Sequence, residues 1–190
     1  MTRSTVRLLT CLAGIAILGL APSSSLGMIK IIKKGDSVGV FYVTKIAGAK
    51  RDGVKVGQRL CYRCRYGTRP MVMVFVRRTG ESLPDLVRYL DQTVSENQNT
   101  KLKGLVTLLG KDVDDLKATA IALLESTSVE EIPIAIASEQ GVRANQYQLP
   151  EEADITIIVA KDSRVVHTLT FKTDEIDLAL IDNEINEILK

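Results

Sequence analysis

Two cysteines separated by two residues carry the sharpest chemical signal in this sequence, in the block Leu60-Cys61-Tyr62-Arg63-Cys64-Arg65-Tyr66-Gly67. That spacing lets two sulfurs meet when the backbone turns tightly, and a disulfide closed over so short a loop is easier to reduce than a structural one. The chemistry such a pair performs is thiol–disulfide exchange: a thiolate attacks a partner disulfide, a mixed disulfide forms, and the second thiol resolves it. Arg59, Arg63, Arg65 and Arg69 flank the pair, and nearby positive charge lowers a thiol pKa. Tyr62 and Tyr66 are expected to cover the disulfide or to form a docking surface. A second reading stands beside this one. Cys61 and Cys64 can staple the loop and fix how the chain enters the next strand, with a modest gain because the loop is short. Exposure separates the two readings: a catalytic pair needs an accessible sulfur, whereas a staple can be buried and inert.

Other chemistry is less well provided for. Cys-x-x-Cys is half of a zinc site, or a two-thiolate site for a soft ion. The other half is missing, because no second cysteine pair exists and His167 is the only imidazole. A metal bridged across a dimer is the remaining metal alternative; otherwise neither a metal nor an organic cofactor is expected. His167, beside Val165 and Val166, reads as a hydrogen-bonded strand histidine. Arg77 and Arg78 read as two ordinary arginines in a solvated βα loop, with an anion site at the helix start as the alternative. Asp112, Asp114 and Asp115 read as a capping cluster without the ligand spacing of a calcium loop. Met71 and Met73 read as core. There is no Gly-rich phosphate loop, no Gly-x-Ser-x-Gly elbow and no His-Glu-x-x-His.

The chain has 190 residues, with 25 Lys and Arg against 23 Asp and Glu, and 45% of it is hydrophobic. Met1 to Gly27 reads as a secretory signal. Arg3 and Arg7 form its basic start, Leu8 to Ala21 its apolar stretch, and Ser25 and Gly27 the small residues before a cut. The apolar stretch is short for a membrane span, which needs about 20 residues; an uncleaved anchor is the alternative. No acidic residue precedes Asp36, so loss of this segment removes two positive charges and leaves residues 28–190 with no net charge. Neutrality argues against a nucleic-acid binder that works by phosphate neutralisation. Cys11 leaves with the signal, and Cys61 and Cys64, alone in an oxidising compartment, are expected to pair. No stable membrane span is expected after signal removal. Residues 28–190 fit one domain.

The elements follow from periodicity. Val38–Ile46 is β-rich, and Val54–Gly57 is a second short β-like piece. The Cys loop comes next, then Met71–Val76 (MVMVFV), whose unbroken apolar run suits a central strand buried on both faces. Ser82, Pro84 and Asp85 open a helix, with Leu83, Leu86, Val87, Leu90 and Val94 on one face. Leu102–Leu109 is a strand, Asp112 caps a second helix, and Ile132–Ala137 is another strand. Residues 138–153 read as mostly irregular. Ile155–Ala160 and Val165–Phe171 form a hairpin, and Thr173 opens the last helix. Strand–helix–strand units with a closing hairpin predict a three-layer α/β/α sandwich around a mixed sheet.

This order resembles the thioredoxin-like fold in its redoxin or peroxiredoxin-like form. The resemblance rests on MVMVF, on LKGLVTLLG with its Asp-capped helix, on IPIAIASEQGVRANQY and on the hairpin ITIIVAKDSRVVHTLTF, and it covers Val38 to Leu189. The segment LCYRCRYGxRPMVMVF is similar to a block of exported bacterial thioredoxin-like proteins. The resemblance implies exchange at Cys61 and Cys64 with a protein thiol or disulfide partner, outside the cytoplasm in the periplasm or beyond. By analogy with other Cys-x-x-Cys proteins Cys61 is the expected attacker. A non-catalytic binding or structural module, with the pair as staple, is the alternative. Two departures stand out. In thioredoxins the Cys pair follows the central strand and opens the next helix, but here that place reads Arg77-Arg78-Thr79-Gly80-Glu81-Ser82 and the pair precedes the strand. Where a cis-proline is expected the hairpin begins Asp154-Ile155-Thr156, with Pro150 several residues earlier.

Overall fold

The computed structural model describes residues 32–144 and 147–190. The expected signal over Met1–Gly27, the first residues of the segment after it, and Asn145 and Gln146 lie outside the described residues. In chain order the elements are β1 (Val43–Gly48), β2 (Arg59–Leu60), α1 (Tyr62–Tyr66), β3 (Met71–Val76), α2 (Leu83–Glu96), β4 (Lys103–Leu109), α3 (Val113–Thr127), β5 (Pro133–Ala137), α4 (Glu139–Ala144), β6 (Ile155–Lys161), β7 (Arg164–Phe171) and α5 (Leu178–Leu189).

The strands form one mixed sheet in the order β2-β1-β5-β4-β3-β6-β7. β3 pairs in parallel with β4, and β4 in parallel with β5, as helical crossovers require. β6 runs antiparallel to both β3 and β7, and β1 antiparallel to β5. All six side chains of β3 are buried, so the unbroken apolar run does mark a strand covered on both faces.

Alternation along the strands sorts the core into two clusters. Val72, Val74 and Val76 join Val106, Ile134 and Ile157 beneath α2, α3 and α5. Met71, Met73 and Phe75 face the other way, against Phe41, Tyr62, Tyr66 and Tyr147. All three long helices therefore cover one face. The opposite layer is built from α1, α4 and the segments 32–42 and 147–149, which completes the α/β/α sandwich. A bulge between Lys45 and Ala47 switches β1 from one face to the other, so Val43 enters the second cluster and Ala47 the first. β1 ends at Gly48, where φ is +70° and a Cβ would stand 2.1 Å from Ile132 O, so only glycine fits.

The helix starts hold unevenly. Asp112 caps α3 by accepting from the N–H groups of Asp114 and Asp115. Ser82 occupies the N-cap of α2 but makes no side-chain capping bond. α5 starts at Leu178 with Asp177 as its cap, later than Thr173, because residues 172–175 form a turn tied back to Asp154 through the Thr173 N–H. Val54–Gly57 is a turn rather than a strand: Gly57 N–H donates to Lys45 O, and Gln58 N–H to Lys55 O. Residues 38–42 stand outside the sheet.

Candidate functional site

The cysteines do not lie in an open loop. Cys61 is the N-cap of α1, and its Sγ accepts the backbone N–H of Cys64 at 3.1 Å, as a serine or aspartate oxygen does in other caps. The two sulfurs are bonded to each other, with their Cα atoms 5.2 Å apart. Cys61 is 7% exposed, while Cys64 is exposed. One residue of the pair is thus buried and the other exposed, and the exposed one is Cys64 rather than the expected attacker Cys61.

Tyr62 and Tyr66 fill the core, at 1% and 8% exposure. Tyr66 OH donates to Gly104 O on β4 at 2.7 Å, and Tyr62 OH to Asp52 Oδ2 at 2.6 Å. Asp52 Oδ1 in turn receives Lys45 Nζ at 2.8 Å and Val54 N–H at 2.8 Å. Burial alone would raise the Asp52 pKa, but the bonds from Lys45, Tyr62 and Val54 outweigh it and hold the carboxyl below its usual range. Lys45, 2% exposed, also donates to Ala49 O and Val54 O, so all three of its N–H bonds are used. This network anchors α1 to β1. Sequence reasoning missed it; the available signal was a lysine at an inward position of an alternating strand.

The arginines around the pair are held by backbone and ring contacts. Arg63 Nε donates to Val38 O at 2.9 Å, Arg65 Nη2 to Asp52 O at 2.8 Å, and the Arg59 guanidinium lies 4.9 Å from the centre of the Tyr42 ring.

Arg77 and Arg78 follow the far end of β3, whose rise from Met71 to Val76 is about 17 Å. Arg77 is not solvated. It pairs with Glu139 and donates to Pro150 O, to Ala153 O at 3.1 Å and to Leu149 O at 3.4 Å, so it pins the segment that leads into β6. Arg78 pairs with the buried Asp154 at 2.6 Å. At this edge the chain thus places ion pairs where the thioredoxin pattern places cysteines. His167 is more than a strand hydrogen bond: its Nδ1 lies 2.6 Å from Glu184 and its Nε2 2.7 Å from Glu187, which clamps α5 to β7. Among the described residues no helix is long and apolar enough to cross a membrane.

No protein-family model and no curated protein sequence matches this chain. Solved structures do match it. AhpC of Mycobacterium tuberculosis aligns with a TM-score of 0.62 at 8% identity, covering 85% of this chain and 100% of that one. A thiol:disulfide interchange protein of the thioredoxin family from Chlorobium tepidum gives 0.59 at 9% identity, covering 83% and 98%. A secreted Mycobacterium tuberculosis disulfide oxidoreductase, homologous to E. coli DsbE, gives 0.56 at 10% identity, covering 77% and 95%. At these identities the likeness is one of fold.

Proposed function

We propose that this thioredoxin-like chain is an exported thiol–disulfide exchange protein that works through Cys61 and Cys64. The observation that carries the reading is the pairing of an exposed Cys64 with a buried Cys61 whose sulfur already accepts an N–H. In the oxidised protein a partner thiolate attacks Cys64 Sγ. The Cys64–partner bond forms, the Cys61–Cys64 bond breaks, and Cys61 Sγ leaves as a thiolate that the Cys64 N–H stabilises. A second partner thiolate then attacks the partner sulfur of the mixed disulfide, Cys64 leaves, and the two departing thiolates take up protons. The protein disulfide gains two electrons and the partner dithiol loses them. Reversed, the same steps let a reduced protein open a partner disulfide, with Cys64 attacking and Cys61 resolving.

Export rests on the basic and apolar character of residues 1–21 and on the presence of only two cysteines beyond them. N-terminal sequencing of the protein recovered from cells tests it: a start near Met28 supports export, and an intact Met1 counts against a cleaved signal.

The exchange reading is tested by the reduction potential of the pair. A value above about −250 mV, in the range of exchange proteins, supports it; one below about −300 mV marks a staple. The order of attack is tested by trapping. Cys61→Ser, which keeps the exposed sulfur, should accumulate mixed disulfides, and Cys64→Ser should not. The opposite pattern assigns the attack to Cys61.

A further inference from the structure

From Gly53 to Gly80 the chain carries Lys55, Arg59, Arg63, Arg65, Arg69, Arg77 and Arg78, and no Asp or Glu. The disulfide sits inside this run. Among the described residues Arg59, Arg63, Arg65 and Arg69 make no ion pair with any carboxylate. Arg65 and Arg69 each have one side-chain hydrogen bond, to Asp52 O and Arg65 O respectively, out of the five donors a guanidinium offers. Asp52, the nearest carboxylate along the chain, is engaged by Lys45, Tyr62 and the Val54 N–H.

The elements against α1 extend the same field. A groove of about 470 Å³ is lined by Arg51, Arg65, Arg69 and Lys103 and by three carboxylates, Asp52, Glu130 and Glu131, together with the inner residues of α1. Its two glutamates are already paired, Glu131 with Arg51 and Glu130 with Lys50. Lys103 has no ion pair among the described residues, and the groove continues past it to Lys101. The cations left over are Arg65, Arg69, Lys101 and Lys103. Arg65, which lines the groove, directly follows the exposed Cys64 in the chain.

We propose that the polypeptide with which Cys64 exchanges carries acidic residues beside its own cysteine or disulfide. Its carboxylates seat on Arg65, Arg69 and Lys103 while its sulfur meets Cys64. Unpaired guanidinium forks match carboxylates in bidentate fashion, and a local field of one sign raises encounter rates with ligands of the other sign. This inference rests on the exchange reading for its sulfur chemistry and on the groove for its selectivity. A protein partner is favoured over a nucleic acid because the cations cluster around a disulfide while basic and acidic residues nearly balance over the chain, 25 against 23.

The test uses two disulfide-bonded peptides that are identical except for flanking Glu or flanking Lys, and follows their reaction with the reduced protein at low and high salt. The Glu peptide should react about 10-fold faster at low salt and lose most of that advantage near half-molar salt. Arg65→Glu/Arg69→Glu should abolish or invert the preference. Lys172→Glu, a charge change of the same sign at the other end of the sheet, should leave it intact. If the double variant does not fold, Lys103→Glu is expected to reduce the preference in the same direction. A cysteine-free Glu peptide should bind the oxidised protein, read by fluorescence anisotropy. Equal rates for both peptides, or a preference for Lys, overturn the inference while leaving exchange intact. Exchange with neither peptide overturns the reading of Cys64 as a reactive sulfur, and peptide binding then shows separately whether the basic groove stands. Tighter binding of single-stranded DNA than of the Glu peptide overturns the choice of a protein partner.

Discussion

Tyr62 OH lies 2.6 Å from Asp52 Oδ2, so a residue between the two cysteines is tied to the carboxylate that also holds Lys45. The disulfide helix is too short to hold its position by its own backbone bonds. Its place is set by this carboxylate on one side and by the bond from Tyr66 OH to Gly104 O on the other.

Lys45→Met should therefore destabilise the protein strongly. It leaves Ala49 O and Val54 O without their lysine donor and removes the partner of Asp52. Breaking a buried pair from one side costs about 3 kcal/mol or more. Urea unfolding of the variant should show a lower midpoint with an unchanged slope, and a loss below about 1 kcal/mol would mean that the network contributes little.

The same carboxylate sets a dependence on acid. The folded-state pKa of Asp52 is held below its ordinary value of 3.8. Its contribution to stability is thus complete above the ordinary value and is lost as pH falls through the lower folded value. Asp52→Asn should be less stable at neutral pH and should show a shallower acid limb, measured by thermal unfolding from neutral to strongly acidic buffer.

The alkaline limb belongs to the tyrosines. Burial raises the pKa of Tyr62, Tyr66 and Tyr147 above the ordinary 10, with Asp52 adding to the rise at Tyr62 and Tyr66. A raised folded value means that their contribution is complete below the ordinary pKa and declines as pH climbs beyond it. Tyrosinate absorbance from these three residues should appear together with loss of near-ultraviolet dichroism. Ionisation of all of them in a protein that still shows its folded dichroism would contradict this.

Phe75 on β3 is flanked in register by Thr107 on β4 and Thr156 on β6. Both threonines are buried, and neither hydroxyl has a hydrogen-bond partner among the described residues. Thr107→Val and Thr156→Val keep the shape and remove the buried hydroxyl, so each should stabilise the fold by about 1 kcal/mol in denaturant titration. Destabilisation by either change would show that the hydroxyl is satisfied.

The strands legible in the sequence were those with an unambiguous pattern. Met71–Val76 and the hairpin of β6 and β7 read correctly because long apolar runs end at clear turn residues. α1 did not, because five residues are too few for a helical period and its cap is a cysteine, which ranks among no usual cap signals. Val54 and Val56 invite a strand assignment by β-branching, but Gly57 has φ +84° and turns the chain back onto Lys45. The start of α5 was misplaced because Thr173 and Asp177 are both plausible caps, and only the tie from Thr173 N–H to Asp154 decides between them. The Cys pair was found at once from its spacing. Which sulfur faces solvent was not, since exposure follows from how α1 packs and not from the order of its residues.

The sheet's two roofs are unequal, and their opening should be unequal too. Long helices seal one side cooperatively, whereas α1, α4 and extended chain cover the other in separate pieces. Native-state amide exchange should accordingly reach the pieces above Met71, Met73 and Phe75 through excursions far smaller than global unfolding. Cys61, buried in the ground state, belongs to that thinner cover as the N-cap of α1. The inner half of the disulfide is thus reachable by a partial opening of one side while the helical side stays intact.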